Sequence, residues 1–521
     1  MSIYLSNLIL ILFLIYVYRT NRHGLHILQL EHYYTDRYVK WMKENANTIF
    51  DVKKIGLLFI SSLIFGLGFY RAGYIVTIIA YVTLILSFHK NKEKKPFVKT
   101  ARVKRQFFTY FIIAVILILM VNVFNDIYSI IVLNILAMLT YCLVYAVATI
   151  NKPVENFINK RFCKKAHKKL KSIPNFKVVG ITGSYGKTST KYIVNTILSQ
   201  KYNSLMTPES YNTTMGVVRT INEKLKPTQN LFVCEMGAKY IGDVKEICDI
   251  VEPNYGILTA IGPQHLDTFK TIENVAKAKL ELLDSLPDVK GASFVNWEDS
   301  NIRKAKLPKN VVKYGLNKNA DYYAENVRIS ERGSSFDIVM PDGRRISAKT
   351  KLLGRLNILN IVCGVAVADK LGLTEEQIKM GIKFIKPVEH RLELRPNPNG
   401  SIIIDDSYNS NVRGADMALE VLGTFKDRQK ILITPGIVEL GEKSYEINKA
   451  LGKEATKHSD FIILVGEKQA GPILDGVKEA KFPEDKVMVA KNLDEAIKKM
   501  YKLMDSNTVV LLENDLPDNY L

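Results

Sequence analysis

Hydrophobic and polar positions divide this 521-residue chain into two differently patterned parts. In residues 1–150 the apolar residues come in long runs: Ile3 to Val17, Ile55 to Tyr70, Tyr74 to Phe88, Phe107 to Phe124 and Ile127 to Ile150. Arg71-Ala72-Gly73 splits the second run from the third, and Asn125-Asp126 the fourth from the fifth. Each run is near the ~20 residues needed to cross a bilayer core, so the pattern predicts five spanning helices. No small-residue cleavage site follows the first run, which predicts a retained helix rather than a signal peptide. Between Arg19 and Lys54 the pattern turns polar and aromatic (His32, Tyr33, Tyr34, Trp41), as expected of a helix lying in the interface. A re-entrant hairpin over Ile55 to Phe88 satisfies the same pattern.

From residue 176 onward the runs shorten and alternate with helical periods. Phe176 to Val179, Asn230 to Cys234 and Tyr255 to Ala260 read as strands. Thr188 to Tyr202, with Ile193, Val194, Ile197 and Leu198 on one face, and Ile272 to Leu286 read as helices. Pro341-Asp342-Gly343 between alternating runs predicts a hairpin within Tyr322 to Leu353. Beyond residue 388, strands at Ser401 to Ile404, Lys430 to Thr434, Phe461 to Val465, Lys486 to Val489 and Thr508 to Leu512 alternate with helices such as Ala415 to Leu422 and Leu493 to Met504. The expected class is an α-helical membrane domain followed by α/β domains with mostly parallel sheets. The boundaries are 1–150 for the multi-pass domain, 151–175 for a basic linker, and 176–387 and 388–521 for two soluble domains.

The net charge of +20 changes meaning once it is located. Residues 1–150 carry 16 lysines and arginines against 6 acids, and residues 151–171 carry 8 against 1. Basic charge therefore sits beside apolar segments, which points to a membrane surface and away from nucleic acid as the partner. Arg19, Arg22, Lys53, Lys54, the lysine-rich stretch Lys90 to Arg105 and the run Lys152 to Lys171 all fall on one side of the five-span arrangement. Only Arg71 and Asp126 fall on the other. The positive-inside rule then places everything after Ile150 in the cytoplasm. The spans hold no ionisable residue suggestive of an ion pathway, so an anchor is the plainer reading. The five cysteines form no CxxC pair and read as reduced thiols.

The candidate chemistry centres on Gly180-Ile181-Thr182-Gly183-Ser184-Tyr185-Gly186-Lys187-Thr188-Ser189-Thr190. A strand runs into a glycine turn whose N–H groups can face phosphate oxygens, and a helix begins at about Thr188. Lys187 supplies full positive charge, and Thr188 offers a hydroxyl to Mg²⁺. The spacing lacks the first glycine of the full phosphate-loop pattern, where Ile181 stands, and an ordinary strand-to-helix turn has a similar look. Glu235, ending the apolar strand 230–234, is where a metal-holding acid belongs. His265 alone is equally a structural histidine, and the lysines of Ala276-Lys277-Ala278-Lys279 are equally solvated ones.

In their order these segments resemble the Mur ligase family, most of all its D-alanyl-D-alanine-adding branch. The likeness rests on the loop at 180–189, Glu235-Met236-Gly237-Ala238, Ile261-Gly262-Pro263-Gln264-His265-Leu266 and Ala276 to Lys279. It continues in Gly354-Arg355-Leu356-Asn357-Ile358-Leu359-Asn360, His390-Arg391-Leu392-Glu393, Asp405-Asp406-Ser407-Tyr408-Asn409-Ser410-Asn411 and Val438-Glu439-Leu440-Gly441, covering about residues 176–521. The resemblance implies a central phosphate-loop ATPase domain and a C-terminal Rossmann-like domain. It also implies an ATP-dependent, ADP-forming carboxylate–amine ligase acting through an acyl phosphate in cell-wall precursor synthesis. On that basis Gly183, Ser184, Gly186, Lys187, Thr188 and Ser189 bind phosphate, and Asn357, Asn360 and Asp406 bind adenosine, with Arg391 on the γ-phosphate. Thr188 and Glu235 hold one Mg²⁺, and His265 with a carbamylated Lys279 a second. Lys187, His265, Lys279 and Arg391 are the catalytic set.

The departures are as informative. Leu356 replaces the family's histidine, and the family's Asn-x-Asn-Asn reads Ser210-Tyr211-Asn212-Thr213-Thr214. The usual Lys-Gly-Ser-Arg is replaced by Glu513-Asn514-Asp515-Leu516-Pro517-Asp518 after the last strand. The residues that precede the phosphate loop are apolar spans where the family has a uridine-diphosphate-sugar domain. The acceptor is then a carboxylate, either lipid-linked, such as a polyprenyl-phosphate glycopeptide, or soluble with the spans a plain anchor, joined to an amino acid or dipeptide amine. A poly-γ-glutamate or folate-type ligase, and a phosphate-loop ATPase coupled to transport, are the other readings of the same residues.

Overall fold

Unbroken apolar runs become helices and short β-branched runs become strands. The two patterns fall in separate units of the computed structural model, Met1–Lys160 and Arg161–Leu521. All residues are described except 1, 32, 50–51, 88–95, 123–125, 210, 290, 409–410, 439 and 515–521. His32, Phe88, the lysines at 90–95, Phe124, Asn125, Ser210, Asn409, Ser410, Glu439 and Asp515 to Asp518, which figure in the sequence reading, therefore lie outside the described residues.

The first unit is helical: Ser2–Leu30, Thr35–Glu44, Val52–Gly66, Tyr70–Leu86, Ala101–Asn122, Asp126–Met138 and the start of Thr140–Lys171. Phe13, Phe65, Tyr81 and Ile130 are buried among them, whereas Ile11, Phe59, Leu63, Ile79, Phe111 and Leu119 are exposed. The described helices support fewer spans than the five expected. Among the described residues one helix, Tyr4–Leu30, is both long and apolar enough to cross a bilayer. A second arises only if Tyr128–Met138 and Thr140–Lys171, bent by 78°, count as one span. Ile55–Gly66 and Tyr70–Leu86 are shorter apolar helices; at ~1.5 Å per residue the first reaches only ~18 Å of a ~30 Å core. The break between them falls at Gly68, in a left-handed conformation (φ 85°), not at Arg71-Ala72-Gly73. Gly73 lies inside a helix, where a Cβ would meet the Phe65 ring at 2.9 Å. The first helix also continues through Arg19 to Leu30 instead of ending at Val17.

The basic linker expected at 151–175 is likewise the end of a helix, Thr140–Lys171. Its charged residues alternate with Ala166 and Leu170, which are buried in the core of the second unit. Lys169 donates to the carbonyls of Ile221 and Asn222 at 2.9 and 3.1 Å.

The second unit holds two α/β sheets. The first has nine strands: β1 (Lys177–Thr182), β2 (Ser204–Met206), β3 (Leu231–Glu235), β4 (Tyr255–Leu258), β5 (Ser293–Asn296), β6 (Val311–Gly315), β7 (Tyr322–Ser330), β8 (Gly333–Val339) and β9 (Arg345–Thr350). Their order is β2-β3-β1-β4-β5-β6-β7-β8-β9, parallel up to β7 and antiparallel through the β7–β8–β9 meander. Helices cover both faces of the parallel part, which is why β1, β3 and β4 read as continuous apolar runs. Ile193, Val194 and Ile197 pack on one face with Ile358 and Val362, and Val217, Val244 and Leu282 on the other. The second sheet, β10 (Glu393–Pro396), β11 (Ile402–Asp406), β12 (Gln429–Thr434), β13 (Phe461–Val465), β14 (Val487–Ala490) and β15 (Thr508–Glu513), runs β10-β11-β15-β12-β13-β14. Only β10 is antiparallel. In both sheets the carboxyl ends of the central strands form the edge where ligands bind in open α/β folds.

Candidate active site

The phosphate loop leaves β1 between two parallel neighbours, and two glycines make its shape. Gly183 sits at φ 149°, where a Cβ would overlap Thr259 Oγ1. Gly186 is left-handed (φ 78°) and caps the helix Lys187–Leu198. The Lys187 ammonium folds back onto the loop, donating to Gly183 O at 2.6 Å and more distantly to Ser184 O at 3.4 Å. Burial lowers its pKa to about 8, the Glu235 charge opposing and the Arg391 charge adding to the fall. The Ser184 amide donates to Ala260 O at 2.8 Å and its hydroxyl exchanges hydrogen bonds with Gly262. It fixes the loop to the exit of β4. Ser189 lies on the first turn of the helix, half-buried.

Glu235 closes β3 beside this loop and is 1% exposed. Its Oε1 accepts from Thr188 Oγ1 at 3.2 Å and from Asn212 Nδ2 at 3.0 Å. Its Oε2 is buried and faces the Lys191 ammonium at 3.0 Å. A buried carboxylate next to a threonine hydroxyl and a phosphate loop is a donor set that suits Mg²⁺. Among the described residues no three His, Cys, Asp or Glu side chains cluster as a metal site. His265 and Lys279 would thus need a further anionic group to hold an ion. His265 adopts φ 52° at the start of a short helix, Leu266–Phe269. Lys279 is 1% exposed on the helix Ile272–Asp284. Burial, then the positive charge of Lys187, drives its pKa well below the ordinary lysine range. Its neighbour Lys277 is exposed.

The second sheet brings up the remaining groups. His390 and Leu392 are both left-handed, and His390 Nδ1 is 2.9 Å from Asp405 Oδ2. The Arg391 guanidinium between them lies over the Tyr408 ring at 4.6 Å. Leu392 N donates to Asp406 Oδ1 at 3.2 Å. Burial raises the Asp406 carboxyl to about 6, with Arg391 opposing. In the adenine segment the two asparagines separate. Asn357 Nδ2 is spent on Leu353 O at 2.8 Å, whereas Asn360 takes a hydrogen bond from Thr190 at 3.1 Å and leaves a buried Nδ2 without a partner. A pocket lined by Tyr185, Gly186, Leu356, Asn360 and Arg413 lies there.

Three contributors escaped the sequence reading. Arg413, 3.6 Å from Asp299, had no signal. Asn212 stood inside a segment noted only as a departure. Lys191 had one: it is four residues, one helical turn, beyond Lys187.

The Mur ligase middle domain matches residues 181–368, and the Mur ligase, glutamate ligase domain matches residues 390–513. The UDP-N-acetylmuramoyl-tripeptide–D-alanyl-D-alanine ligase of Escherichia coli (strain K12) is 30% identical over 296 residues, 56% of this chain and 65% of that protein. The chain thus spans less than two thirds of that relative. The MurF ligase of Thermotoga maritima, solved in complex with ADP, superposes with a TM-score of 0.62 at 25% identity, over 68% of this chain and 80% of that one. A Mycobacterium tuberculosis folylpolyglutamate synthase, complexed with ADP and AMPPCP, shares the fold alone (TM-score 0.52, 14% identity, 70% and 95% covered).

Proposed function

This chain belongs to the Mur ligase family, and from that premise we propose that it is an ATP-dependent, ADP-forming ligase. It joins a carboxylate to an amine in the synthesis of a peptidoglycan precursor or a related envelope polymer. The observation that carries the reading is the convergence of the Lys187 ammonium, the buried Glu235 carboxylate with Thr188 on it, and buried Lys279 at one sheet edge. An acceptor carboxylate oxygen attacks the γ-phosphorus and ADP leaves. The amine then attacks the acyl carbon, phosphate leaves, and the nitrogen gives up a proton. Lys187 and Arg391 neutralise the transferring phosphoryl group, the main catalytic device in such transfers. Asn360 offers its free amide to adenine, and Asp406 its carboxylate to the ribose. Mg²⁺ held by Thr188 and Glu235, with a second ion at His265 and carbamylated Lys279, would supply positive charge along the phosphates. A buried, neutral Lys279 amine is the form that adds CO₂, releasing one proton and leaving an anion. Purified protein with ATP, an acceptor and an amine should form ADP and the amide, and Lys187→Ala should lose at least ~10³-fold in turnover while remaining folded. Near-normal turnover in that variant rules the assignment out.

The first unit we read as a membrane attachment, supported by the helix Tyr4–Leu30 and the large apolar side chains on the outward faces of its neighbours. One crossing by Tyr4–Leu30 with the N-terminus outside keeps the ligase unit on the basic, cytoplasmic side. A bilayer-held acceptor gains effective concentration at the site, and the exposed lysines of Lys160 to Lys171 favour an anionic head group. The acceptor on this reading is a lipid-linked glycopeptide carboxylate. In proteoliposomes the lipid-linked form should be turned over faster than its soluble counterpart; equal rates leave only an anchor.

A further inference from the structure

Two lysines are buried among the described residues, Lys191 and Lys279, and the proposed chemistry uses only the second. We propose that Lys191 is a positioning residue, the resident counter-ion of Glu235, which holds that carboxylate in place and competes with Mg²⁺ for it. The proposal rests on Glu235 being a metal ligand, as argued above.

Lys191 is 0% exposed and stands one turn beyond Lys187 on the same helix. Its Nζ lies 3.0 Å from Glu235 Oε2 and donates to the carbonyl of Glu209. Glu209 is itself left-handed (φ 39°). The segment it opens sends Asn212 onto Glu235 Oε1 at 3.0 Å, and Thr207 Oγ1 accepts the Glu235 amide at 3.0 Å. One ammonium thus fastens both the carboxylate and the loop that orients it.

The geometry argues against a purely structural pair. Taking an ammonium and a carboxylate out of water is costly, and apolar side chains of equal volume are often as stable or more so. This pair is also joined to the phosphate loop, since the other oxygen of the same carboxylate takes the Thr188 hydroxyl at 3.2 Å. The carboxylate is thus shared between the ammonium and the place where Mg²⁺ would lie. A divalent ion reaching that oxygen meets the field of Lys191, so the lysine weakens the metal's hold while keeping the ligand from collapsing in its absence.

The test is thermal unfolding of the full chain in detergent, without nucleotide, in EDTA and across a MgCl₂ series. Lys191→Met should lower Tm in EDTA by about 5 °C, because it strands a buried carboxylate. Mg²⁺ should restore it with a midpoint about tenfold lower than that of the unaltered protein. Glu235→Gln should abolish the Mg²⁺ response, and Lys191→Met with Glu235→Gln should recover most of the lost Tm. If Lys191→Met does not fold in EDTA, the double variant decides: folded and indifferent to Mg²⁺ supports the pairing, and unfolded overturns it. An unchanged Mg²⁺ midpoint in Lys191→Met, with Glu235→Gln unresponsive, overturns the role of Lys191 and leaves the metal site standing. A Glu235→Gln protein that still responds to Mg²⁺, or an unaltered protein that never does, overturns both.

Discussion

Each unit buries a carboxylate beside basic side chains, and the two are finished differently. Glu155, 2% exposed in the helical unit, takes 2.7 Å hydrogen bonds from Arg105 on both oxygens and has Arg102 at 3.7 Å. Arg102 in turn lies over the Tyr33 ring at 4.0 Å. Glu235, 1% exposed in the ligase unit, has Thr188 and Asn212 on one oxygen and the Lys191 ammonium 3.0 Å from the other. The bidentate pair ties helices together. A carboxylate shared with a phosphate-loop hydroxyl is unfinished until a ligand arrives. Burial is nearly the same in both; the loop hydroxyl on Glu235 separates a site from a strut.

Exchanging each acid for its amide should break this comparison most sharply. Glu235→Gln should cost at least ~10³-fold in ligase turnover per folded molecule, and should also lower stability because it strands the buried Lys191 ammonium. Glu155→Gln should leave turnover per folded molecule unchanged and lower stability by about 1–2 kcal/mol, less than for a fully buried pair because both arginines are partly exposed. If Glu155→Gln lowers turnover as far as Glu235→Gln does, the distinction fails.

Lys279 sharpens the same contrast, because a buried amine without a carboxylate partner is unfinished in the opposite sense. Lys279→Ala should lower turnover by at least ~10²-fold, and short carboxylic acids should restore part of it by supplying the missing anion. Absence of rescue, with a bare Nζ in a nucleotide-bound crystal structure, would remove the carbamate. Lys277→Ala on the exposed side of that helix should be silent.

The smallest effect is on pH. The Asp406 carboxyl, raised to about 6 by burial, is charged above that pH and neutral below it. A ribose hydroxyl donates best to the charged form. ADP affinity should therefore fall about fivefold between pH 6 and pH 5, and Asp406→Asn should flatten that limb. On the alkaline side Lys187, lowered to about 8, loses its proton as pH rises through that value and affinity should fall again. A pH-independent ADP affinity from 5 to 9, measured calorimetrically, would remove both groups from the nucleotide site.

Much of the ligase unit was legible because its signals are local. Strands β1, β3 and β4 are continuous apolar runs since both faces of the sheet are covered, and the loop at 183–186 needs glycine where φ is positive. The hairpin at Pro341-Asp342-Gly343 formed as its turn residues dictate. The helical unit was less legible. An apolar run states that a segment avoids water, not where it bends. Neither the break at Gly68 nor the 78° bend between Met138 and Thr140 is marked in the apolar pattern.

By itself the sequence determined the periods, the phosphate-loop backbone and the segregation of basic charge, all of which depend on residues a few positions apart. Only the tertiary structure decided which side chains are charged, spent or open. Lys277 and Lys279 belong to one tetrapeptide, yet two residues are ~200° of helix, so one faces water and the other the core. Asn357 and Asn360 likewise part: one turns onto Leu353 O, the other keeps a free amide. Ser184, in the middle of the loop motif, bonds to Gly262, 78 residues away. Sequence spacing fixes the direction of a side chain relative to its own element. What that side chain meets is fixed by crossovers joining residues 188, 212, 235, 279 and 391, and desolvation by those neighbours sets its chemistry.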